Sequence, residues 1–112
     1  MTEAHLFSLQ RLSALVMVPL VIVHVVVILY ATRAGLSAEA ILNRTTASML
    51  WPLFYALFVL SAAVHAPIGV RNVLREWTPL SPAFIDLVVV VFGAILLLLG
   101  LLAVWAVSGW AQ

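Results

Sequence analysis

The chain has no cysteine among its 112 residues, no lysine, and charged side chains at only 8% of its positions. Without thiols, disulfides, thiolate metal sites and iron–sulfur ligation by this chain are excluded, so any metal it holds takes nitrogen, oxygen or thioether ligands. The five basic residues are all arginines, scattered along the chain, and against four acids they leave a net charge of +1. No basic cluster exists for nucleic acid, and none is expected as a partner. The five glycines form no G-x-G-x-x-G fingerprint, so no dinucleotide-binding turn is expected either.

What fills the chain instead is hydrocarbon, at 66% hydrophobic residues. Three stretches free of Asp, Glu, Lys and Arg, at 12–31, 45–70 and 87–109, are each long enough to cross a bilayer core, which takes about 20 residues. The expected fold is all-α: an integral membrane protein, one domain over 1–112, with three transmembrane helices at about 12–31, 47–71 and 87–109. The first run exceeds a signal-peptide core and is followed by a poor cleavage site, so it is expected to stay in the mature chain. Arg11, Arg71 and Arg75 at one edge against Arg33 and Arg44 at the other put the amino terminus in the cytoplasm and the carboxyl terminus outside; the inner (cytoplasmic) membrane is the expected location.

Along the chain, residues 1–10 read as an interfacial lead closed by Arg11. Pro19 frees the Leu15 carbonyl and predicts a kink in the first span, which membrane helices tolerate. The linker at 32–44 contains Gly35 and Ser37-Ala38-Glu39, the signature of a helix stop followed by a short capped surface helix. Pro52 suits a first turn, and Trp51, Trp105 and Trp110 suit the headgroup level.

The most informative segment is His65-Ala66-Pro67-Ile68-Gly69-Val70-Arg71, at the end of the second apolar run. A histidine at membrane depth is costly and needs a partner, which a metal or cofactor can supply. Ser61, His65, Gly69 and Asn72 share one helical face, polar and small, as a planar macrocycle lying against a helix requires. Pro67 also frees the Ala63 carbonyl, a potential acceptor for a ring nitrogen or a water. Arg71 and Arg75 lie two to three turns nearer the aqueous edge, the depth at which the carboxylates of such a cofactor would sit. The competing reading is a histidine hydrogen-bonded to a neighbouring helix.

His24 lies in the first span, roughly 20 Å from the Arg11 edge, against roughly 9 Å between His65 and the Arg71 edge. The two imidazoles therefore suit two separate sites, each completed by another chain, and a helix–helix hydrogen bond is the alternative for His24. His5 reads as a solvated interfacial residue. Ser8, Arg11 and Ser13 are expected to meet Arg71, Glu76 and Trp77 at the cytoplasmic edge. Such a cluster offers the donors, apolar wall and lipid access that a quinone needs, with interfacial snorkelling as the plainer reading.

The motif His65-Ala66-Pro67-Ile68-Gly69-Val70-Arg71, with Glu76 eleven residues after His65, resembles the H-x-x-x-G-[hydrophobic]-R signature of succinate dehydrogenase cytochrome b membrane-anchor subunits. Leu9-Gln10-Arg11-Leu12-Ser13 is similar to their L-H-R-x-S-G segment, with Gln10 and Ala14 departing from it and Ser8 one residue off the quinone-site serine. The resemblance implies half of a heme-binding helical bundle. His65 would be an axial ligand of heme b, Arg11 and Arg71 propionate partners, and Ser8, Arg11, Glu76 and Trp77 quinone contacts. His24 resembles the helix I ligand of two-heme members. The implied partners are a second membrane-anchor subunit, an iron–sulfur subunit, a flavoprotein subunit and membrane lipid, with electrons passing from succinate oxidation to quinone. Two other readings remain at this stage: a heme-free structural anchor, and a small transporter or channel subunit with His65 and Arg71 lining a polar path.

Overall fold

The computed structural model describes residues 1–109, which form four helices: α1 (Glu3–Ala34), α2 (Ala38–Thr45), α3 (Leu50–Trp77) and α4 (Pro82–Val107). Trp110, expected in the second interfacial belt, lies outside the described residues. Three of the helices are long and apolar enough to span a membrane, so the chain has the form of a multi-pass membrane protein.

The helices outrun the charge-free stretches because hydropathy reads only the hydrocarbon layer, whereas a helix continues until a cap ends it. The residues expected to form a separate interfacial lead are the first turns of α1. Thr2 caps them by accepting from the His5 backbone N–H at 3.3 Å. α1 runs without interruption through Pro19 for 32 residues, about 48 Å of helix, and so sets the 47 Å long axis of the molecule.

α1 ends at Gly35, whose φ of +134° is open to glycine and strained for other residues. Ser37 then caps α2 by accepting from Ala40 N–H at 3.1 Å. α2 folds back onto the end of α1: Arg44 donates from Nη2 to the Gly35 carbonyl at 2.8 Å and stands over the Tyr30 ring. The expected surface helix is present. Ser81 caps α4, and Pro82 occupies its start, where a missing N–H costs nothing.

α3 is the central element and packs on both α1 and α4. Its contact with α4 depends on small residues that let the two backbones approach, since lipid supplies no hydrophobic drive between helices. A Cβ on Gly93 would come within 3.0 Å of Pro67 Cγ and 3.5 Å of the Ala63 carbonyl. A Cβ on Gly100 would overlap the side chain of Val59. The carbonyl freed by Pro67 is thus covered by α4, and among the described residues no ring nitrogen reaches it.

The interior is thin. Leu20, Ala31, Ile68, Ile85, Val89 and Val104 are the buried apolar residues among those described, while Leu15, Leu29, Leu87 and Val90 are largely exposed. An outward face of this kind is compatible with lipid or a partner chain as its surroundings.

Candidate functional site

α1 and α3 run antiparallel, and α1 turns a stripe containing Gln10, Ser13, Leu20, His24 and Ala31 at helical spacing toward α3. His65 meets that stripe at its amino-terminal end. Its Nδ1 lies 3.3 Å from the Gln10 backbone carbonyl and 3.3 Å from Ser13 Oγ. A carbonyl only accepts, so an Nδ1 bonded to it carries a proton, and in the neutral ring the lone pair is then on Nε2. Among the described residues no donor or acceptor reaches Nε2. His65, half-buried, borders a groove of about 370 Å³ lined by Ala14, Met17, Val18, Val21 and Ile22 of α1.

The small face of α3 is filled differently from the slot that its sequence predicts. Gln10 lies over Gly69, where a Cβ would be 3.5 Å from Gln10 Nε2, and its Oε1 accepts from Asn72 Nδ2 at 3.1 Å. Ser61 is buried. The open side of His65 therefore faces residues 14–22 of α1.

His24 is eleven residues past Ser13 on α1, about 16 Å by helical rise, and meets α3 at Tyr55 and Phe58, with ring centroids 6.0 and 5.3 Å away. Its Nδ1 is buried without a hydrogen-bond partner, a state that ordinarily costs about 1–3 kcal/mol. The ring also borders a groove of about 750 Å³ that runs past Tyr30, Trp51 and Tyr55 to Arg44 and Asn43. The two imidazoles thus occupy opposite halves of the bundle, and no hydrogen bond or ring contact joins them.

Arg71 is a hub at the His65 end. It donates from Nη2 and Nη1 to the two Glu3 carboxylate oxygens at 2.8 and 3.2 Å, and from Nε to Asp86 Oδ1 at 2.9 Å. Arg75 reaches the same Glu3 at 2.9 Å. One guanidinium, whose side chain is only 12% exposed, therefore ties α1, α3 and α4 together. Sequence reasoning missed Glu3 and Asp86 as its partners. The available signal was that two of only four acids, Glu3 and Asp86, precede the first and third spans, at the edge where Arg11 and Arg71 are also expected.

The residues of the expected quinone cluster are not joined to one another by hydrogen bonds or ion pairs among the described residues. Arg11 is exposed and stacks over Phe7 at 5.4 Å. Ser8 borders a shallow hollow with His5, Leu9 and Leu12. Glu76 and Trp77 are exposed at the end of α3, and Ser13 faces His65. Among the described residues no hydrogen bond or ion pair links Ser8 or Arg11 to Arg71, Glu76 or Trp77. His5 bonds Thr2 Oγ1 at 3.0 Å. The described residues contain no group of three or more His, Asp or Glu side chains able to hold a bare metal ion.

Compared with known families, residues 1–102 match the one described as succinate dehydrogenase/fumarate reductase transmembrane subunit. Neither a curated protein nor a solved structure matches the chain.

Proposed function

Because the chain belongs to the succinate dehydrogenase/fumarate reductase transmembrane subunits, we propose that it anchors the flavoprotein and iron–sulfur subunits to the inner (cytoplasmic) membrane, contributes a ligand to heme b and helps form the quinone site. In this reading the amino terminus is cytoplasmic. A second membrane-anchor subunit covers the exposed side of the bundle and completes the heme site.

The observation that carries this reading is the state of His65. Metal-ligating histidines characteristically give their other ring N–H to a carbonyl, carboxylate or water, which fixes the tautomer and the ring orientation. His65 has that arrangement through Gln10, and among the described residues no donor or acceptor reaches its Nε2. The neighbouring groove walls are apolar, as a porphyrin face requires. The competing reading, a helix–helix hydrogen bond, accounts for Nδ1 and leaves Nε2 without a role. When bound, the heme supplies reversible one-electron storage between the iron–sulfur subunit and the quinone. The protein's part is to hold the ring, exclude water and place charge.

Arg11 suits the propionate or quinone role better than Arg71. All three guanidinium nitrogens of Arg71 are engaged by Glu3 and Asp86, whereas Arg11 meets no carboxylate among the described residues. In a site closed by partner subunits, Arg11 stabilises negative charge on a quinone oxygen, Ser8 or the Trp77 indole donates, and Glu76 relays protons from the aqueous edge.

His24 supports a second heme as an extension of this reading. Its ring lacks a polar partner, and its groove is about twice as large as the one beside His65, with Arg44 along its wall.

The test is His65→Leu in the purified complex. Heme per flavin, read by pyridine hemochrome, is expected to fall by at least half while the subunits stay assembled. A spectrum identical to that of the unaltered complex would leave the chain a structural anchor.

A further inference from the structure

We infer that Ser13 is a positioning residue for the His65 ligand, setting through its hydroxyl how strongly the imidazole holds its Nδ1 proton. The inference rests on the heme reading above but concerns a residue of α1 that does not touch the iron.

Ser13 Oγ donates to the Gln10 carbonyl at 2.9 Å, and both that carbonyl and Oγ lie 3.3 Å from His65 Nδ1. The hydroxyl proton is directed at the carbonyl, so the oxygen lone pairs of Ser13 are left to face Nδ1–H. The ring proton is thus shared between two acceptors, one on the backbone and one on a side chain. Ser13 is only 8% exposed, so water does not readily substitute for it. The Asn72 bond to Gln10 Oε1 holds the same residue from its side-chain end and keeps the carbonyl in register with the ring.

A hydrogen-bond acceptor behind a ligating imidazole makes the other nitrogen a stronger base, and a more basic ligand favours the more highly charged iron. Removing one of two acceptors weakens that effect. The reduction potential of the heme held by His65 should then rise, with the ligand itself retained.

The complex is purified with the unaltered chain, with Ser13→Ala and with Ser13→Thr. Heme per flavin is counted, and the reduced α-band is followed through a potentiometric titration. The alanine variant is expected to keep its heme and titrate at a higher potential, while threonine, which retains the hydroxyl, returns toward the unaltered value. Heme lost from alanine and kept by threonine supports the inference as well. A potential unchanged in alanine, or heme lost equally from both variants, overturns it. If the extra methyl of threonine blocks assembly, the alanine potential decides alone, because alanine adds no volume. An unaltered complex without heme removes the underlying reading before any variant is made, so the two failures are distinct.

Discussion

The two intramembrane imidazoles differ in what their ring nitrogens meet. His65 has its proton held by Gln10 and Ser13 from another helix, whereas His24 is surrounded by aromatic rings and keeps a buried nitrogen without a partner. An unpartnered polar atom in a low-dielectric interior is costly, and because Nδ1 is sealed from solvent a ligand in the adjoining groove would have to be met by the ring's other nitrogen. His24→Leu is therefore expected to lower heme per flavin by about one equivalent and to leave the His65 absorption in place, as one imidazole serves one iron. An unaltered heme count would assign His24 to packing between α1 and α3. That a histidine stood at each of these positions was legible from the chain alone. Which nitrogen was satisfied was not, because it depends on residues 52 and 55 positions away.

Among the elements, α3 carries most of the organisation, and α4 approaches it closely at two glycines, Gly93 and Gly100. Gly100 lies so close to Val59 that even a methyl group must displace a β-branched side chain with little rotamer freedom. Gly100→Ala should destabilise the bundle by about 1–3 kcal/mol, the usual range for overpacking. The loss should be largely recovered in the double variant with Val59→Ala, a coupling that thermal unfolding in detergent can measure. Additive losses would mean that the two residues do not meet.

The capped start of α2 was predictable, since Ser37 carries a local signal that needs no tertiary partner, whereas α4 starts five residues before the expected 87. The extension of α1 back to Glu3 was not predictable. Its first two turns are polar enough to read as a lead, and Arg71 and Arg75 of α3 hold their acidic end.

At the scale of the whole molecule, one end gathers the start of α1, the end of α3 and the start of α4 around Arg71, while α2 and the end of α1 lie at the other. Three arginines fall at the first end and two at the second, which supports a cytoplasmic amino terminus under the positive-inside rule. The natural absence of cysteine makes this directly testable. Single Glu76→Cys and Glu39→Cys variants in sealed inverted vesicles should react with an impermeant maleimide at position 76 and resist it at position 39. The reverse pattern would invert the orientation, and labelling at both would contradict a spanning arrangement. Because so little of the apolar surface is buried within one chain, the subunit expressed alone is expected to aggregate or self-associate in mild detergent. Co-expression with its membrane partner should yield a monodisperse complex by size-exclusion chromatography.

Composition and spacing alone determined that this chain spans a membrane three times, that it is helical throughout its spans, and that two imidazoles and a few arginines are its chemical resources. Each of those properties depends on local content: hydropathy over a window, a capping residue, a proline at a first turn. Only the tertiary structure decided which resource meets which. The pairing of Gln10 with His65 and of Glu3 and Asp86 with Arg71 follows from the register between neighbouring helices. That register is set where glycines admit a neighbouring backbone or side chain, at Gly69, Gly93 and Gly100. Periodicity names the face of a helix but not the level at which another helix will meet it.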